Sequence, residues 1–119
     1  MTALPDLHNA YRLECKSRKP QRLSPDFYLT VFEGLKEREE KADKYLKEKN
    51  LEDYVSLKTQ VGLYRRDLRT FMEKRLEKLL IMSLYDLENS EVRFLPEEEE
   101  LRLTVKGLTE KFIQTGGMK

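Results

Sequence analysis

The sequence predicts an all-α fold, about a four-helix bundle with long antiparallel helices, and three observations carry that reading. Leu supplies 20 residues and Ile plus Val only seven, so the apolar side chains are mostly those that lose little rotamer freedom in a helix. Ala, Glu, Lys, Leu and Arg together make up 62 of the 119 residues, the composition of long helices once a helical apolar period is found. No proline interrupts the stretch between Pro25 and Pro96.

The first predicted helix carries Leu4, Leu7, Tyr11 and Cys15 at helical spacing and stops before Lys19-Pro20, because a residue ahead of proline is pushed out of the helical region. Cys15 is read there as a packed small hydrophobe and His8 as an exposed polar residue. The second helix opens at Leu23-Ser24-Pro25-Asp26-Phe27-Tyr28, with Ser24 as N-cap, Pro25 as first helical residue and Asp26 favoured by the helix dipole. Phe27, Tyr28, Val31, Phe32, Leu35, Ala42, Tyr45 and Leu46 share one side. On the other, Glu37-Lys41, Glu40-Lys44 and Asp43-Lys47 are spaced as i,i+4 pairs in the favourable acid-first order, which marks a solvated face.

Asn50 is the next break, an N-cap with Glu52 and Asp53 in the following turn. In the third helix, Tyr54, Leu57, Val61, Tyr64, Leu68, Phe71, Met72, Leu79 and Met82 lie within about 60° of Leu68 at 100° per residue. Arg75 falls inside this stripe, where its guanidinium must either reach solvent along its stem or find a carboxylate, Glu14 being the first candidate. From Leu79 to Leu87 the segment has no polar side, so it calls for contacts all round, from other helices of the chain or from another subunit. A connector runs from Glu88 to Leu95, with Val92, Phe94 and Leu95 extended. Pro96 then begins the fourth helix, with Glu97 to Glu100 at its positive dipole end. Consecutive helical residues point in four directions, so these glutamates do not converge as metal ligands. Leu101, Val105, Leu108 and Phe112 form the apolar stripe, and Gly116-Gly117 ends the helix. The helical domain is thus expected over 1–115, with 116–119 a terminal tail or the start of a linker.

The charge balance of +1 gives no global field toward nucleic acid or membrane. One cysteine excludes an internal disulfide and fits a reducing cytoplasm, and no apolar run approaches the ~20 residues that span a bilayer. No phosphate loop, zinc-ligand spacing or nucleophile elbow is present. His8 and Cys15 stand about 10 Å apart by helical rise, too far for a thiolate-imidazole pair. The expectation is therefore a protein that is not an enzyme, with no cofactor and no metal. A local basic cluster, Arg12, Lys16, Arg18, Lys19 and Arg22, supports an alternative: a small helical nucleic-acid-binding protein making salt-sensitive phosphate contacts, with Arg65, Arg66 and Arg69 a second basic group.

Four segments in order resemble the GINS family of replication proteins: Leu13-Glu14, Leu23 to Tyr28, Arg75-Leu76-Glu77-Lys78-Leu79-Leu80, and Phe94-Leu95-Pro96-Glu97-Glu98-Glu99. They are most similar to archaeal subunits of the branch shared by the eukaryotic Psf-one and Sld-five proteins, and span about residues 4 to 113. The resemblance implies the helical domain of a non-catalytic scaffold subunit in a homo- or hetero-tetramer, without the small β-rich domain that normally follows. It also implies that the protein bridges or activates the MCM helicase with a Cdc-forty-five or RecJ-like partner, in the cytoplasm and on the chromosome. With the all-round apolar segment, it places a subunit interface at Phe27, Tyr28, Arg75, Leu80, Ile81, Leu84, Leu87 and Phe94.

Overall fold

The computed structural model describes residues 1–84 and 94–116, without the side chains of residues 83 and 84. The expected interface residue Leu87, the side chain of Leu84 and the connector through Val92 lie outside the described residues. Those described form an all-α structure of four helices and no strand: α1 Leu7–Cys15, α2 Phe27–Lys47, α3 Leu51–Leu84 and α4 Pro96–Thr115. They fall into two compact units. Met1–Tyr11 and Asp26–Phe71 make the first, Arg12–Pro25 and the described residues from Met72 onward the second, so α1 and α3 contribute to both.

In the first unit α2 and the early turns of α3 run antiparallel. Phe27 meets Phe71 at one end with ring centroids 5.5 Å apart, Arg65 pairs with Glu39 midway, and a three-residue junction, Glu48 to Asn50, closes the other end. That junction is a double cap. The Asn50 N–H donates to the Tyr45 carbonyl (2.9 Å) and the Lys49 N–H to that of Leu46 (3.1 Å), the bond pair that closes a helix around a left-handed residue, here Lys49 at φ 60°. Asn50 then caps α3 as expected, its Oδ1 accepting from the Asp53 N–H at 3.3 Å.

The core of this unit follows the predicted periodicity. Val31, Leu35 and Ala42 of α2 and Val61, Leu68 and Phe71 of α3 are buried, with Leu7 and Ala10 of α1. Phe32 and Leu46, expected on the inner side of α2, are about half exposed. The helix turns Gly34 inward instead, where Leu4 lies so close that a Cβ would meet its Cδ2 at 2.5 Å. The N-terminal arm is held by polar contacts that periodicity does not reveal. The Thr2 N–H and hydroxyl donate to Glu37 (2.6 and 2.7 Å), Arg38 donates to the Thr2 carbonyl (2.9 Å), and the Tyr64 hydroxyl donates to the Pro5 carbonyl (2.9 Å). Burial pushes the Tyr64 phenol up to about 12. Glu37, expected to pair with Lys41, is thus engaged by Thr2, whose backbone N–H first and hydroxyl second hold its carboxyl below the ordinary value.

Two expected helix starts shift. Helix α2 begins at Phe27 and not at Pro25, with Asp26 at the cap position making no side-chain cap bond. At this boundary Phe27 packs against Tyr28 and Phe71. Helix α1 begins after Leu4, capped by Asp6, whose Oδ1 accepts from the Asn9 N–H at 3.1 Å. Its buried face is Leu7, Ala10 and Glu14, while Tyr11 and Cys15 are exposed. The reading of Cys15 as a packed hydrophobe is therefore corrected: a glutamate takes the inward position, because α3 supplies cations for it. Helix α4 starts at Pro96 as expected and ends on Gly116 at φ 61°, whose N–H donates to the Phe112 carbonyl at 2.7 Å.

Phe71, 0% exposed, should cost about 3–5 kcal/mol on truncation to Ala, read as a fall in the denaturant midpoint at unchanged slope. Lys49→Gly should act in the opposite sense, adding about 0.5–1 kcal/mol by relieving a left-handed side-chain residue at a helix end, measurable by the same titration.

Candidate functional site

The second unit is organised around charge. Arg75 and Lys78 stand three residues apart on α3 and so project from one face, Glu14 comes from α1, and Glu98 is the third residue of α4. Arg75 is 1% exposed, Glu14 0% and Lys78 5%, a degree of enclosure that charged groups reach only when paired and hydrogen-bonded.

The Arg75 guanidinium is the hub. Its Nη1 donates to Glu14 Oε1 (2.9 Å) and to the Gln21 carbonyl (3.0 Å), and its Nε and Nη2 each donate at 2.6 Å to the two oxygens of Glu98. The Glu98 link is the bidentate fork that an arginine makes and a lysine cannot. One face of the guanidinium lies over the Phe94 ring, 5.6 Å from its centroid. Lys78 uses all three ammonium protons: on Glu14 Oε2 (2.5 Å), on the Glu14 carbonyl (2.5 Å) and on the Lys19 carbonyl (3.0 Å). Glu14 accepts in addition from the backbone N–H and side-chain amide of Gln21, at 3.2 and 3.0 Å. Its carboxylate thus receives four donors, about the capacity of the group.

The electrostatics follow. Burial by itself would push the Glu14 carboxyl up, but Lys78, Gln21 and Arg75 together outweigh it and hold the group below its ordinary value of 4.5. Burial likewise works against the Arg75 cation, and Glu98 followed by Glu14 overcomes it, raising the guanidinium above its ordinary value. Two cations and two carboxylates balance, so the cluster is neutral and dense in hydrogen bonds. Such an arrangement fixes geometry. With Glu14 filled by donors from its own chain, it offers no open base for proton transfer.

Of the two fates open to Arg75, the structure selects the buried partner, and Glu14 is one of its two carboxylates. Glu98 was expected only to complement the helix dipole. It also clamps Arg75 and accepts from the Leu95 N–H at 2.9 Å, tying the entry of α4 to its own first turn. Lys78 went unread because it lies about 80° from Leu68, just outside the apolar stripe. An Arg-x-x-Lys pair bordering an apolar face, facing a lone glutamate among the inward positions of α1, was the available signal. The glutamates at the start of α4 diverge, Glu98 toward Arg75 and Glu99 toward Arg102. Among the described residues no group of three or more His, Cys, Asp or Glu is placed to hold a metal ion.

The expected interface residues divide. Phe27, Tyr28, Arg75 and Phe94 are enclosed by this chain itself, the first two in the core of the first unit and the others in the charge cluster. Within the single chain these four are interior positions, because it supplies its own aromatic and anionic partners for them. Leu80 and Ile81 are about 40% exposed, as is Leu76, while Leu79 is buried. The apolar stripe of α4 is open as well: Leu101, Leu108 and Phe112 are 46, 64 and 65% exposed, and no residue of this helix is buried. Arg12, Lys16, Arg18, Lys19 and Arg22 are all exposed, with the Lys19 carbonyl held by Lys78. His8 is exposed too, its Nε2 3.3 Å from Asp67 Oδ2.

Glu14→Gln should lower stability at neutral pH by about 3–5 kcal/mol, since it leaves Arg75 and Lys78 short of charge in a dry site. The folded value of Glu14 lies below its unfolded one, so its contribution is full above about pH 4.5 and is lost as pH falls through the lower folded value. The gap between wild type and Glu14→Gln in urea midpoint should accordingly close on acidification. A gap independent of pH between 7 and 3 would contradict this.

No helix among the described residues is long and apolar enough to cross a membrane. Compared with protein-family models, with curated proteins and with solved structures, the chain finds no match.

Proposed function

We propose that the protein acts by docking, as a non-catalytic scaffold subunit of a GINS-type replication complex that bridges or activates the MCM helicase together with a Cdc-forty-five or RecJ-like partner. One observation carries the docking part: in the second unit the polar groups are satisfied inside, while Leu76, Leu80 and Ile81 of α3 and the stripe of α4 face outward. Exposed apolar patches mark interaction surfaces on folded proteins.

The assignment to a GINS-type complex is supported by where the resembling segments lie. Glu14, Arg75, Lys78, Phe94 and Glu98 come from three of the four motif stretches and meet in one cluster. The fourth ends in the Phe27-Tyr28 pair that packs on Phe71. Motifs set apart in sequence that converge in space are what a shared architecture requires of them. Catalysis, metal and cofactor have no part in this reading, which places the protein at the chromosome.

Capture of purified MCM and RecJ-like proteins on the immobilised full chain tests it. Retention is expected, and Leu80→Glu with Ile81→Glu should reduce it at least about tenfold, roughly 1.4 kcal/mol, while leaving the circular dichroism spectrum intact. Failure to retain either protein at low salt removes the replication assignment. The second reading, nucleic-acid binding, is favoured by the exposure of Lys16, Arg18 and Arg22. Gel shifts across a salt series should show a shallow slope, unchanged when Arg18 and Lys19 are replaced. A steep slope lost on replacement would instead make DNA the partner.

A further inference from the structure

Helix α4 presents its apolar stripe because its rotation is set elsewhere. At 100° per residue, Leu101, Val105, Leu108 and Phe112 fall within about 60° of one another, spaced 4-3-4 as in a coiled-coil seam. Glu98, gripped by both oxygens on Arg75, and Arg102, on the next turn of the same side, lie about 50 to 90° from the stripe's centre. The better-covered positions of the helix are Glu98, Glu99, Arg102, Val105, Lys106 and Thr109, which lie on the Glu98–Arg102 side of the helix and reach the stripe only at its edge, at Val105. Leu108 and Phe112, two-thirds exposed, are not among them.

Charge selects what covers the stripe. The first eight residues of α4 carry four glutamates and one arginine, a net −3, and the remaining twelve carry Lys106, Lys111 and Glu110, a net +1. Two such helices side by side in the same sense would set the glutamate-rich ends together. In the opposite sense each acidic end lies beside the other's basic end, and the helix dipoles oppose favourably. Full overlap of the stripe pairs Leu101 with Phe112 and Val105 with Leu108 of a second copy, twice by symmetry. Lys111 then comes within about 3 Å, two residues of rise, of the level of Glu100 on the same flank of the other helix. Both side chains are exposed.

We propose that the α4 stripe is a self-complementary seam on which a second copy of this chain docks antiparallel, about a two-fold axis. This rests on the docking reading above and names one partner of that surface. Each contact occurs twice, as an isologous interface demands. The seam is one helix wide, toward the small end of specific interfaces, so the pair dissociates on dilution.

Sedimentation velocity of the full chain over a concentration series tests the seam. A reversible dimer is expected, and Leu108→Glu, at an exposed position that leaves the helix content unchanged, should abolish it. Glu100→Lys and Lys111→Glu should each weaken the homodimer about tenfold, and an equimolar mixture of the two variants should recover wild-type affinity, since each reversed charge then meets its complement. A chain monomeric at every concentration, a dimer indifferent to Leu108→Glu, or charge variants that fail to rescue one another would each overturn the seam. The capture assay separates this from the broader reading. A monomer still retained by MCM refutes self-pairing and leaves docking intact, whereas a dimer with the predicted charge rescue supports the seam even if MCM is not retained.

Discussion

Burial of the Arg75 guanidinium is the constraint on which the second unit depends. A charge removed from water must be matched by groups that replace its hydration, and failure to do so costs several kcal/mol, a large share of the ~5–15 kcal/mol by which a domain of this size is stable. That demand draws Glu14 of α1, the carbonyl of Gln21 and Glu98 of α4 onto one residue of α3. Lys78 completes the balance, since two carboxylates on a single cation would leave the site with a net negative charge. An apolar core can slide among several packings of similar energy, but a bidentate fork with fixed donor directions cannot.

The consequence reaches the surface. Because Arg75 takes Glu98 by both oxygens, it fixes the rotation of α4 about its own axis as well as its position. Fixed by that flank, the helix leaves its apolar stripe uncovered. The first unit works by the opposite rule. There the apolar stripes of α2 and α3 face one another through Val31, Leu35, Val61, Leu68 and Phe71, and polar contacts such as Thr2 on Glu37 only fasten the arm at the edge.

This contrast explains what could be read in the sequence. Four helices, the Asn50 break, the Pro96 start and the Gly116 end follow from propensity, capping and proline geometry, which are local properties and are legible one residue at a time. The inward stripe of α3 follows from spacing alone. The partner of Arg75 required a non-local inference, that a charge on an apolar face needs a countercharge, and it reached Glu14 because that residue stands alone on a short amphipathic helix. Glu98 was hidden in plain composition: one of four consecutive glutamates, it is distinguished only by which flank of α4 meets α3. Cys15 yielded the inward position to Glu14, a choice no hydropathy scale makes.

The energetics of α4 bear on how such a protein would use its surface. A helix of 20 residues with no buried side chain is marginal alone in water. Supports at its two ends include Pro96, the glutamates at the dipole, and the Glu98 and Phe94 contacts at the start, with the Gly116 cap at the finish. Between them, Leu101, Leu108 and Phe112 make few of the contacts that usually hold a helix, so local opening there costs less than opening of the first unit's core. Any surface laid on that stripe therefore contributes twice, through the apolar area it removes from water and through the fraying it suppresses. The clamp at Arg75 lowers the entropy cost of that step, because the stripe is already held in one orientation when a partner arrives.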